Sequence, residues 1–201
     1  MSLQIQCDIE DLVSPKIERL INGLSDTGRE TLNRSILNPI YHPEEGTYYL
    51  TKKHLLEISE TRHDTANRLG ARPSGFWGLA VESIEPEANA DSASMTIKHP
   101  GIGRVAHDVH ILPTGGREFL TIPVTADAYN NRATTIPGLF RPKGRDFLAT
   151  NENGQLKVWY ALVRETTVPQ DRTLLPSDDE YKIAIQIGIK DYVDFLITKA
   201  A

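Results

Sequence analysis

Hydrophobic positions along the chain change period several times, and each change marks an element. In residues 104–124, RVAHDVHILPTGGREFLTIPV, two runs of mixed apolar and polar positions flank Pro113-Thr114-Gly115-Gly116. The pattern predicts two strands, Val105 to Ile111 and Glu118 to Val124, meeting at a reversal where Gly115 and Gly116 take a positive φ. Leu156 to Thr166, LKVWYALVRET, is rich in β-branched and aromatic residues and predicts a third strand. These three are expected at the centre of one antiparallel sheet.

Upstream, Leu3, Ile5, Cys7 and Ile9 alternate with polar neighbours, as in a half-buried strand. Ser14-Pro15 then reads as an N-cap followed by proline at the first helical position, where its missing N–H costs nothing. Val13, Ile17, Leu20, Ile21 and Leu24 share one helical face. Gly23 and Gly28 each weaken a helix by about 1 kcal/mol, so the pattern allows either a stop at Gly23 or a run through Leu32 and Ile36. Leu37 to Leu50 reads as a loop or ragged hairpin, because Pro39 and Pro43 push Asn38 and His42 out of helical geometry. Its tyrosines 41, 48 and 49 are expected to pack this loop onto the body. Thr51 to Leu69 predicts an outer helix, with Leu55, Ile58, Arg62, Ala66 and Leu69 along one side and Gly70 as its stop. After Ala71-Arg72-Pro73-Ser74-Gly75, strands are expected at Leu79 to Ile84 and Met95 to Lys98, joined through PEANADSA as a hairpin with an exposed tip.

Thr125 to Asp146 has no periodicity and carries Pro137, Gly138, Pro142 and Gly144. Loops of this length are uncommon inside a domain, so it is expected to order on assembly and make contacts there. Asn153-Gly154 predicts a hairpin between Phe147 to Thr150 and the Leu156 strand. The last segment holds a conflict. Ile183, Ile185, Ile187 and Ile189 alternate like a strand, while Ser177-Asp178-Asp179-Glu180 is a capping box with acidic residues where a helix start favours them. Helix is the expectation, since only Gly188 interrupts Asp178 to Lys199. Tyr181, Ile185, Ile189, Tyr192 and Leu196 then form one stripe, and Ile183 and Ile187 lie nearly opposite. Two apolar sides need a second surface to cover, supplied by a neighbouring subunit or by the chain's own loop.

Composition adds bounds. Apolar residues make up 39% and charged residues 24% of the 201, which suits one soluble α+β domain over residues 1–201, an antiparallel sheet with hairpins packed by two or three helices. The formal charge of −5 gives no electrostatic reason to approach a phosphate backbone, so direct nucleic-acid binding is not expected. A single cysteine, Cys7, has no intrachain disulfide partner and is expected as a buried small hydrophobe in a reducing compartment. The N-terminus lacks a basic region followed by an apolar run, and no stretch approaches the roughly 20 apolar residues of a membrane span, so neither export nor insertion is expected.

The chemistry-bearing residues do not converge in sequence. His107 and His110, with His99 nearby, would point to opposite faces of a strand, which disfavours a shared metal. Ser59, His63 and Asp64 fall on one predicted helix, where the adjacent His63 and Asp64 do not face each other. Gly101-Ile102-Gly103 and Gly115-Gly116-Arg117 lack the lysine and hydroxyl of a phosphate loop. The paired acids Glu44-Glu45 read as a solvated loop, and Trp77 and Trp159 as packing aromatics. No catalytic, cofactor-binding or metal residue is expected, and the reading is non-enzymatic.

Several stretches, taken in order, resemble the tail-assembly proteins of Mu-like bacteriophages and prophages, the virion morphogenesis or tail-completion family. They are Ser74-Gly75-Phe76-Trp77-Gly78-Leu79-Ala80-Val81-Glu82-Ser83-Ile84, then Arg117-Glu118-Phe119-Leu120-Thr121-Ile122-Pro123, then Tyr160-Ala161-Leu162-Val163, and Leu174-Leu175-Pro176 ahead of a C-terminal helix. The first is two residues longer than the family's Gly-Xaa-Leu step, and Arg172 to Pro176 matches its Arg-Pro-Phe-Leu only loosely. The resemblance implies a structural adaptor that completes a tail or joins head to tail, in the cytoplasm during assembly and then in the tail or neck of the virion. Its partners would be phage tail or head–tail connector proteins and copies of itself. From the two-sided helix and the aperiodic loop, contact is expected at Ile183, Ile187 and Tyr192, and in the Ala133 to Arg145 loop at Phe140 and Arg141. The alternatives are a metal-dependent hydrolase using His99, His107 and His110, and a protein-binding module unconnected with phage.

Overall fold

Residues 3–6, 15–68 and 75–200 are described by a computed structural model. The expectations for Cys7, Ile9, Val13, Ser14, Leu69, Gly70 and residues 71–74 lie outside them. The chain is α+β, with three small antiparallel sheets and a long C-terminal helix. It divides into two compact units, one made of residues up to Ser59, Phe76–Ala106 and Asp171 onward, the other of Glu60–Gly75 and His107–Gln170.

The first unit holds strand β1 (Leu3–Gln6), helices α1 (Pro15–Asn22) and α2 (Asp26–Leu37), helix α3 (Thr47–Arg68) up to Ser59, helix α4 (Phe76–Glu82) and strands β2 (Ile84–Ala88) and β3 (Ala93–Ile97). The run left open by the glycines breaks at Gly23, and α2 restarts with Ser25, whose hydroxyl accepts the Gly28 N–H at 3.3 Å. Strand β3 is the middle of a sheet ordered β1-β3-β2, pairing Ile5 and Pro86 on either side of Met95. Pro86 is tolerated there because β2 is an edge strand. A correction concerns Leu79 to Ile84, expected as a strand: Trp77 and Ala80 share a buried face three residues apart, so the segment is helical through Glu82, and the strand starts at Ile84. Half of PEANADSA is consequently strand. The turn is only Asn89 to Ser92, where the Asn89 side chain accepts N–H bonds from Asp91 and Ser92 at 2.8 and 2.9 Å.

The second unit contains β4 (Val109–Ile111), β5 (Leu120–Pro123), the short helix α5 (Ala126–Tyr129), β6 (Phe147–Glu152), β7 (Gln155–Val163) and β8 (Thr166–Val168). Asn153 and Gly154 sit at φ 54° and 85°, and the β6–β7 hairpin closes over them with Glu152 opposite Gln155. The expected hairpin across Gly115-Gly116 does not form. Both glycines take positive φ, 66° and 74°, yet β4 pairs with β8 and β5 with β7. Nine-residue β7 offers an edge longer than β4 could, and Val105 belongs to a 3-10 turn, Ile102–Val105. Thr125 to Asp146 is likewise tied down within the single chain. The Tyr160 hydroxyl donates to the carbonyls of Ala128 and Asn131 at 3.1 and 2.6 Å, and Phe140 pairs with Ala149 through two backbone bonds.

The chain ends on α6 (Asp178–Ala200), back in the first unit. The capping box forms: the Glu180 carboxylate accepts the Ser177 N–H and hydroxyl at 2.8 and 2.7 Å, and the Ser177 Oγ accepts the Glu180 N–H at 3.3 Å. Helix α6 packs its Ile185, Ile189 and Tyr192 stripe with Leu32 and Ile36 of α2, Met95 and Ile97 of β3, and Leu55 of α3. Gly188 permits a close approach to α2, since a Cβ there would lie 2.6 Å from Ile36 Cα. The Ser35 hydroxyl donates to the Gly188 carbonyl at 2.9 Å. Among the described residues no helix is long and apolar enough to cross a membrane.

Candidate functional site

Helical geometry puts Ile183 and Ile187 on the side of α6 away from its buried stripe. Ile183 is 58% exposed and Ile187 half-buried. They form one wall of a hollow of about 250 Å³. The facing wall is the first turns of α3, with Tyr49, Leu50 and Lys53, and a 3-10 turn at Pro43–Glu45 closes one end with Glu44 and Glu45.

Specific bonds place these walls. Thr51 of α3 shares a hydrogen bond of 2.9 Å with the Tyr181 hydroxyl of α6, and its Oγ also donates to Thr47 O at 2.8 Å. The Thr47 hydroxyl donates to the Ile36 carbonyl at 3.1 Å, fixing the start of α3 against α2. The loop between those helices is held by Asp191, a buried carboxylate of α6 that accepts the backbone N–H of Ile40 and of Tyr41. Gly46 is required at the loop's end, because a Cβ there would lie 2.4 Å from Pro39 Cδ and 2.5 Å from the Leu37 carbonyl oxygen.

The electrostatics are lopsided. Three carboxylates, Glu44, Glu45 and Glu180, line the hollow with one cation, Lys53. The Ser177 hydroxyl and N–H hold the Glu180 carboxyl below its ordinary range, which keeps it charged. The hollow therefore combines exposed aliphatic and aromatic surface with a negative rim.

The other expected residues separate into two groups. Tyr192 is corrected from contact residue to core: it is 2% exposed, with its ring stacked on Phe195, because its position shares the buried stripe. Phe140 is 42% exposed, while Arg141 donates to the Arg145 carbonyl and pairs with Asp146, each at 2.8 Å, and lies 4.5 Å over the Phe119 ring. His99 is buried against Phe76 and Trp77, with ring centroids 4.3 and 5.7 Å away. Its Nδ1 accepts the Gly101 N–H at 3.3 Å, and desolvation pushes its pKa down. His107 is exposed, and His110 bonds the Thr167 hydroxyl at 3.1 Å. Among the described residues no three His, Cys, Asp or Glu side chains are grouped to hold a metal ion.

Sequence reasoning missed Glu44, Glu45, Tyr49 and Lys53 as lining residues. Their available signal was an acidic pair and an aromatic beside the same helix start. Comparison of the chain with protein families, curated proteins and solved structures finds no match in any of the three.

Proposed function

We propose that this chain is a non-enzymatic assembly protein of the phage-derived virion morphogenesis type, a tail-completion or head–tail joining adaptor that works by docking and self-association. The observation that supports this reading is the outer side of α6. Ile183 and Ile187 stand in an open hollow, while the stripe on the helix's other side already fills the core. Apolar side chains kept in water on a rigid helix are a cost unless a partner covers them. In this reading the partners are tail or head–tail connector proteins and further copies of the chain, with the cytoplasm as the place of assembly and the tail or neck as the destination.

The test is Ile183→Asp combined with Ile187→Asp, followed by light scattering coupled to gel filtration and by circular dichroism. The expected result is an oligomer for the natural chain and a folded monomer for the double variant. A natural chain that stays monomeric at several hundred micromolar, or a double variant that keeps the natural mass, would remove the reading.

A further inference from the structure

The net charge of the chain hides an opposition between its two units. The unit containing α6 carries 12 Lys and Arg against 19 Asp and Glu, a net −7, and the other carries 10 against 8, a net +2. On the first unit, the carboxylates of Glu44, Glu45 and Glu180 surround the apolar hollow between α3 and α6. On the second, Phe140 stands 42% exposed beside Lys143 and Arg145, which are exposed and form no ion pair among the described residues. One surface is an apolar recess with a negative rim. The other is an apolar knob with positive flanks.

The knob is also preformed. Phe140 exchanges two backbone bonds with Ala149, at 3.0 and 2.9 Å. Beyond it the chain reverses through Pro142 to Arg145, with the Arg145 N–H on the Pro142 carbonyl at 3.1 Å and Gly144 at φ 71°. Arg141 staples the base of this reversal through its bonds to the Arg145 carbonyl and to Asp146. Arg141 is therefore a support, and Lys143 and Arg145 are the charges presented outward. A segment already held in its docking conformation loses little freedom on binding.

We infer that the hollow between α3 and α6 is filled by the Phe140 to Arg145 loop of a second copy of this chain. The Phe140 ring lies against Ile183, Ile187 and Tyr49 while Lys143 and Arg145 face Glu44, Glu45 and Glu180. Because recess and knob are different surfaces, the contact is head-to-tail, and each copy offers one of each; such contacts propagate into a closed ring or an open filament. This inference rests on the docking reading above and adds the occupant to it.

Charge reversal separates the two surfaces. Glu44→Lys with Glu45→Lys disables the recess, and Lys143→Glu with Arg145→Glu disables the knob. Like charges set against each other at a contact suppress pairing, so each double variant alone is expected to lose self-association by about tenfold or more in dissociation constant. Mixed in equal amounts, the two are expected to associate again as alternating copies, since each natural knob meets a natural recess and each charge-reversed knob meets a charge-reversed recess. The four substitutions combined in one chain are expected to restore association, and Phe140→Ser provides an uncharged check on the knob. Light scattering reads every mass. A mixture that remains monomeric overturns the inference. So does a natural-sized oligomer formed by the Lys143→Glu/Arg145→Glu and Phe140→Ser chains; if Ile183→Asp with Ile187→Asp still dissolves that oligomer, the docking reading stands with a different occupant. A natural chain that never associates overturns both.

Discussion

Gly188 is the residue at which two local rules disagree. Intrinsic propensity favours alanine over glycine in mid-helix by about 1 kcal/mol. Against it, a Cβ at this position would meet the α2 backbone at 2.6 Å, where no side-chain rotation can relieve the contact. Overpacking of this kind costs about 1–3 kcal/mol, so the packing term wins. Gly188→Ala is expected to lower the urea midpoint, and a raised midpoint would show that the two helices separate easily. His99 provides the matching case in electrostatics. Burial against Phe76 and Trp77 lowers its pKa from the ordinary 6.5, so the unfolded chain takes up the proton more readily than the folded one. The stabilisation from a neutral His99 is complete above pH 6.5 and is lost as pH falls toward and through the depressed pKa. Protonation also removes Nδ1 as acceptor for the Gly101 N–H. A urea titration repeated from pH 7.5 to 5 should show this decline, and His99→Gln should flatten it; equal slopes in both chains would rule out His99 as the cause.

At the scale of elements, legibility in the sequence followed how local the deciding interaction is. Helix α6 was readable despite its alternating isoleucines because the Ser177–Glu180 capping box needs only four residues. Ser177→Ala is therefore expected to cost about 1 kcal/mol, visible as a lower melting temperature; an unchanged value would mean that tertiary contacts alone set the helix start. The β6–β7 hairpin was readable for the same reason, since Asn153-Gly154 accepts the two positive φ angles that a two-residue turn needs. Gly115-Gly116 carried an equally strong local signal and misled. The glycines bend the chain as expected, but strand pairing was decided by β7, some 40 residues away, which no turn motif reports. Helix α4 was lost to a similar limit: Phe76 to Glu82 spans barely two turns, too short for a period of 3.6 to stand out from alternation.

At the scale of the whole chain, only the α6 wall of the candidate site could be read in advance. Ile183 and Ile187 follow from helix periodicity, whereas Glu44, Glu45 and Tyr49 join them only because the α2–α3 loop and the first turns of α3 come to lie beside α6. Tyr192 shows the converse. It was expected as a contact although the helical period already sets it on the stripe of Ile185 and Ile189, and that stripe is buried. The overall charge of −5 was similarly uninformative, because it averages an acidic unit and a mildly basic one.

One consequence follows from Asp191. Its carboxylate grips the loop after α2 while its backbone is part of α6. The loop that leads to Glu44 and Glu45 is thus hung from the same rod that bears the two outward isoleucines, and a tilt of that rod draws this end of the cleft along with it. A side chain docking as proposed would find this end of the hollow already tied to the helix.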